Sequence, residues 1–225
     1  MLIVGCGDVG LRVAALLPER VQRIALTSSP ERVAALRQRG ITPLLGNLDQ
    51  PATLRRLAGL ATRVVHLAPP PTSPPELRGD PRTQALMRAL RLRSSLPKAL
   101  VYGSTSGVYG DCAGALVSET RPLNSNTPRA QRRVQAEAHV RLFGCASGVL
   151  VHILRIPGIY APDREGGTPR PRLLKGTPVL RREDDVYTNH IHADDLARAC
   201  LAALWRGKPQ RVSNVCDDTQ LLMGP

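Results

Sequence analysis

The 225-residue chain is 42% hydrophobic, enough for one generous domain with a real core. Its net charge of +13 comes almost wholly from arginine, since the lysines are Lys98, Lys175 and Lys208 alone. The arginines are scattered without a run of five and aromatics make up 3%, so the charge reads as compositional: no nucleic-acid partner and no base-stacking platform are expected. No apolar stretch reaches membrane-spanning length, so no membrane partner is expected either.

The chain opens M-L-I-V-G-C-G-D-V-G, an apolar strand running into Gly5, Gly7 and Gly10 at GxGxxG spacing. Gly5 permits a tight turn, Gly7 lets the backbone approach a pyrophosphate, and Gly10 lets the next helix pack on the strand. The N–H groups opening that helix, around Asp8 and Val9, then face the negative charge. Strands follow at 23–26, 42–45, 63–67, 99–102 and 149–154, and helices at 9–17, 30–38, 51–58, 81–94 and 127–142. Pro30, Pro51 and Pro81 sit where a first helical turn tolerates proline, Ser29 is placed to cap, and Gly40 and Gly59 end helices. Short apolar strands alternating with helices predict an α/β fold, a Rossmann-type doubly wound parallel sheet. Ligands of such sheets sit at the carboxyl ends of the strands.

A proline-rich segment at 69–75 follows the fourth strand and reads as a stiff connector. Residues 162–182 are rich in Pro, Gly and Arg and read as a loop-dominated excursion. The five cysteines are widely spaced with no CxxC, which fits free thiols in a reducing cytoplasm. His190 and His192 lack a carboxylate at recognisable spacing, so no metal site is expected. Asp194 and Asp195 are placed to open the last helix.

V-Y-G-S-T-S-G-V-Y-G-D at 101–111, R-I-P-G-I-Y-A-P at 155–162 and N-H-I-H-A-D-D-L-A-R-A at 189–199 follow the glycine loop in order. Together they resemble the extended short-chain dehydrogenase/reductase family, the NAD-dependent epimerase/dehydratase group. The resemblance implies an NAD(P)-binding Rossmann domain over residues 1–160 and a small substrate part over 161–225. That second part is interleaved with the last sheet strands, and whether it is truncated stays open. It further implies a small-molecule substrate, often a nucleotide sugar, and is compatible with pairing into a homodimer through Rossmann helices.

By the same resemblance, Thr105 polarises the substrate oxygen, with Ser104 and Ser106 beside it; a hydroxyl suits a developing oxyanion. The family's Tyr-x-x-x-Lys falls on T-P-R-A-Q-R-R-V-Q-A-E, which puts Arg129 at the tyrosine position and Arg133 at the lysine position. Arginine stays protonated, so Arg129 cannot shuttle a proton as tyrosine does. Arg133 could still bond ribose hydroxyls, and the pair suits an anion. The chain thus resembles atypical members that keep the fold and lose the tyrosine.

Strand two ends in Thr27, Ser28 and Ser29, with Arg32 just beyond and no acid at its tip, so NADP(H) is favoured over NAD(H). The resemblance further implies that Asn47 and Leu48 take the adenine contact and that Leu67 and Ala68 pack on the adenosine side. Two functions stay open: an NAD(P)-dependent epimerase, dehydratase or reductase using Thr105, Arg129 and Arg133, and a non-catalytic NADP(H)-binding redox sensor.

Overall fold

The computed structural model describes residues 1–73, 79–178, 181–219 and 221–222. In chain order its strands and helices are β1 (Leu2–Val4), α1 (Asp8–Ala15), β2 (Ile24–Thr27), α2 (Arg32–Gln38), β3 (Thr42–Leu45), β4 (Arg63–His66), α3 (Pro81–Leu90), β5 (Ala99–Thr105), α4 (Pro128–Ser147) and β6 (Leu150–Ile156). They continue with β7 (Gly158–Tyr160), α5 (Arg170–Leu174), β8 (Tyr187–Thr188), β9 (His190–His192), α6 (Ala193–Arg206), β10 (Arg211–Asn214) and β11 (Leu221–Leu222). Seven strands form one sheet in the order β10-β6-β5-β4-β1-β2-β3, every pair parallel. The order reverses between β1 and β4, which opens a crevice beyond their carboxyl ends, the expected ligand position in such a sheet.

Strand alternation sorts the core onto two faces. Leu2, Val4, Leu100, Tyr102, Val151 and Ile153 pack on one side, under α3, α4 and the turn carrying Leu54 and Leu57. Ile3, Ala25, Val65, Val101 and Leu154 pack on the other, under α1, α2 and α6. Helices on both faces explain why the strands read as unbroken apolar runs.

Side-chain caps start both helices on the first face, α3 and α4. Asp80 accepts the Thr83 N–H at the start of α3, with Pro81 in its first turn. Thr127 does the same for Ala130 at α4, where Pro128 follows, and Gly148 at φ 70° closes that helix.

Several sequence expectations need correction. The helix expected from Pro30 begins at Arg32 without a side-chain cap. The Ser29 N–H bonds the Thr27 hydroxyl, and Arg32 and Val33 make i to i−3 turns to Ser29 and Pro30. The segment after Pro51 is a 3-10 helix (Pro51–Leu57), not an α-helix. Helix α3 ends at Leu90, four residues early, while α4 runs five residues past the expected end. The seventh sheet strand, β10, comes from R-V-S-N, whose single apolar residue gives little strand signal. The excursion at 162–182 contains the short α5. Of the proline segment, residues 69–73 have no regular structure and Pro74 and Pro75 lie outside the described residues. No helix among the described residues is long and apolar enough to cross a membrane.

Candidate active site

A cleft of about 250 Å³ lies beyond the carboxyl ends of β1, β4, β5 and β6. Gly5, Gly7, Asp8, Val9 and Gly10 form one wall, with Leu67 after β4. Thr105, Arg129 and Arg133 form the opposite wall, and Ile159 and Arg164 approach from the C-terminal part.

The three loop glycines serve different needs. Gly5 sits at φ +86°, and a Cβ there would lie 2.3 Å from the Ala68 backbone nitrogen. A Cβ on Gly10 would lie 2.9 Å from the Gly5 carbonyl oxygen. Both are therefore demanded by the fold itself. Gly7 is not: its φ is −81°, and a Cβ would meet nothing within 4 Å among the described residues. Its bare side faces the cleft, leaving room for a ligand to touch the backbone. Helix α1 starts at the next residue with no side-chain cap, so its first N–H groups are available to an anion.

Asp8 does not cap that helix. Its carboxylate accepts from Arg12 Nε at 3.1 Å and Arg164 Nη1 at 2.8 Å. Arg12 also reaches Asp163 at 2.7 Å and Asp194 at 2.6 Å. These pairs fasten the 161–167 segment and the start of α6 to the glycine-loop helix. Asp194 lies in the first turn of α6, whose N-cap is His192, accepting the Asp194 N–H.

On the opposite wall, the two arginines of α4 behave differently. Arg129 is exposed at the mouth of the cleft. Arg133 is buried and its Nη1 donates to the Gly103 carbonyl at 2.7 Å and the Tyr102 hydroxyl at 3.0 Å. It thus grips the carboxyl end of β5 while still bordering the cleft. Its Nε is buried without a partner among the described residues. Tyr102 is sealed in the core, and burial pushes its phenol up to about 12, so it stays protonated. Thr105 is half-buried, and its oxygen accepts the Gly107 N–H at 3.3 Å. Its own O–H is left to donate toward the cleft.

Ser104, Thr105's neighbour, is committed inward. Its hydroxyl donates to Glu137 at 2.6 Å. Glu137 forms a buried double-bonded pair with Arg155, at 3.2 and 2.9 Å. Arg155 continues to the Tyr109 hydroxyl at 2.8 Å, which donates to Asn214 at 2.7 Å. Burial opposes the charge on Arg155, but its bonds to Glu137 and Tyr109 outweigh that and raise its pKa. This network was not anticipated from sequence. Its signal was present: Glu137 lies four residues after Arg133, on the same face of α4, and Arg155 ends an apolar strand.

Of the residues expected on the adenosine side, Leu67 lines the cleft and the others lie at neighbouring strand ends. Thr27 is buried at the tip of β2, with Ser28 exposed and Ser29 half-buried after it. Arg32 turns back to donate to the Cys6 carbonyl at 2.6 Å, which holds its guanidinium against the glycine loop. Asn47 is half-buried beyond β3, and its side-chain oxygen accepts the Asp49 N–H in a local turn, with Leu48 beside it. Ala68 is buried against Gly5 and donates to Val4. Among the described residues no cluster of His, Cys, Asp or Glu could hold a metal ion.

The family model described as "NAD dependent epimerase/dehydratase family" matches residues 1–216. The chain therefore belongs to the NAD-dependent epimerase/dehydratase family. A conserved protein of unknown function from Silicibacter pomeroyi is 29% identical, with 98% of this chain and 73% of that one aligned at a TM-score of 0.74. The dTDP-glucose 4,6-dehydratase of Bacillus anthracis, solved with NAD, is 17% identical over 99% of this chain and 76% of its own, with a TM-score of 0.80. The UDP-glucose 4-epimerase of Thermotoga maritima, solved with UDP-glucose, is 19% identical over 99% and 78%, with a TM-score of 0.78. No curated protein matches the chain. It spans about three quarters of the length of these solved structures.

Proposed function

We infer that the chain is an NAD(P)-dependent enzyme of the epimerase, dehydratase or reductase type, acting on a small carbonyl or nucleotide-sugar-like substrate. The observation that carries this reading is Gly7, whose bare backbone faces the cleft beside an uncapped helix start although no contact among the described residues requires a glycine there. The residues present fit a dinucleotide: the glycine loop and α1 would take the pyrophosphate, and Thr27, Ser28, Ser29 and Arg32 the adenosine ribose. Arg32 stands at the glycine loop beside the end of β2, which supports a 2′-phosphate and so NADP(H) over NAD(H).

A bound nicotinamide supplies hydride acceptance or donation. The chain's own residues supply orientation. Thr105 donates its O–H to a substrate oxygen and stabilises charge that develops there. Arg129, with a free hand at the mouth, binds an anionic group of the substrate. Arg133 holds the end of β5 in place and adds positive potential to the same wall. At the position where the family carries a tyrosine, this chain has arginine, a side chain with donors only and no acceptor.

That last property favours a second reading, a non-catalytic NADP(H)-binding sensor. Titration with NADPH and NADH, followed by turnover assays on carbonyl compounds and sugar nucleotides, separates the two. Saturable NADPH binding with turnover that falls in Thr105→Val supports the enzyme. Binding without turnover supports the sensor, and binding of neither coenzyme overturns both.

A further inference from the structure

A second hollow lies away from the cleft. A pocket of about 470 Å³ lies at the opposite pole of the sheet, beyond the amino ends of β1 and β4. Its floor is apolar, made by Met1, Leu17 and Val21 around the end of α1 and by Leu201 and Trp205 on α6. Arg20, Arg63 and Arg206 border it, and among the described residues no Asp or Glu does. None of the three arginines is paired with a carboxylate among the described residues. The Arg63 guanidinium lies 4.7 Å over the ring of Trp205, which is 46% exposed.

We propose that this pocket is a second binding site, for a small apolar acid: a flat or aliphatic body carrying one carboxylate, sulfonate or phosphate. Two features combine to select that ligand. The apolar floor gains from removing a hydrocarbon body from water. The three unneutralised guanidiniums at its edge make a positive potential that an acid group satisfies and a neutral or cationic one does not. Arginine suits this role because its planar fork takes two acid oxygens at once while its face stays stacked on the indole. The site shares no residue with the cleft, so it stands whether or not the dinucleotide reading holds.

Trp205 is the single tryptophan of the chain, so its emission reports this pocket alone. The probe is 8-anilinonaphthalene-1-sulfonate, and its control is N-phenyl-1-naphthylamine, the same ring body without the acid. Saturable one-to-one quenching of Trp205 by the sulfonate is expected, with the neutral control weaker by about tenfold or more. The double variant Arg63→Gln/Arg206→Gln should weaken the sulfonate by a similar factor, and Ala202→Phe should block it by filling the pocket. Both variants should keep the circular dichroism and melting temperature of the parent. Equal binding of the two probes, quenching indifferent to the variants, or displacement by NADPH would each overturn the proposal. So would ligand-free Trp205 emission that shifts with protein concentration alongside dimer formation in sedimentation, which would make the face a contact between copies.

Discussion

Single residues divide between those the fold needs and those only a ligand needs. Gly5 and Gly10 belong to the first group, because a side chain there strikes backbone at 2.3 and 2.9 Å. On the proposed function, Gly7 belongs to the second. Gly7→Ala should therefore fold with an unchanged melting temperature yet lose NAD(P)H binding by at least about tenfold, read by isothermal titration. A variant that melts early would mean the glycine serves the turn and not a ligand. The buried Glu137 and Arg155 pair gives a second test. Glu137→Gln leaves the Arg155 charge buried and uncompensated, which costs about 3–5 kcal/mol. Urea unfolding should show that loss, and a change below about 1 kcal/mol would show that Tyr109 and the Glu119 carbonyl suffice to hold the guanidinium.

At the scale of elements, α4 links the cleft to the core. One of its faces carries Arg129 at the mouth, Arg133 on the end of β5 and Glu137 beneath, each four residues from the next. The sequence suggested two arginines side by side in one role. Packing separates them, because α4 dips toward β5 and buries its second and third turns. The excursion after β6 is held by a different device, the guanidinium of Arg12 shared among Asp8, Asp163 and Asp194. Arg12→Gln should lower the global melting temperature only slightly, since its carboxylate partners stay open to solvent and such pairs contribute little to overall stability. Amide hydrogen exchange at 163–167 should quicken, because the local turn there loses its tether to α1. Unaltered exchange would mean that the backbone bonds between Ala161, Arg164 and Gly167 hold the segment unaided.

Across the whole molecule, a buried histidine sets one arm of the pH response. His66 ends β4 with no exposed surface, and burial, helped by the Arg133 charge, pushes its pKa down from 6.5 to about 3. The Thr83 hydroxyl donates to Asp80 and so accepts from His66 Nε2, which fits the neutral ring. Below pH 6.5 the unfolded chain takes up a proton that the folded one refuses. Stability therefore falls as pH drops from 6.5 toward 3, by about 1.4 kcal/mol per pH unit from this group. His66→Asn should flatten that slope relative to the parent in denaturant titrations at pH 7, 6 and 5. Parallel slopes would show that the folded ring takes up a proton as readily as the unfolded one.

Much of this architecture was legible in the residues alone. Two-faced apolar strands can only be buried between helices, so L-I-V, I-A-L and R-V-V-H announced the parallel sheet, and the glycine spacing placed its ligand end. Side chains near the glycine loop and on α4 were named because local spacing fixes which residues share a turn or a helix face. What local spacing cannot fix is which distant charges meet. Ser104 and Tyr109, Glu137, Arg155 and Asn214 come from four separate segments and are joined only when β5, β6, β10 and α4 dock. The same holds for Arg12 with Asp163 and Asp194, and for the arginine-rimmed hollow around Trp205. Sequence determined the sheet, its helices and its glycine cradle through short-range periodicity and sterics. Tertiary packing alone decided which charges are neutralised and which are left to face a ligand, because Coulomb partners are chosen by distance in space.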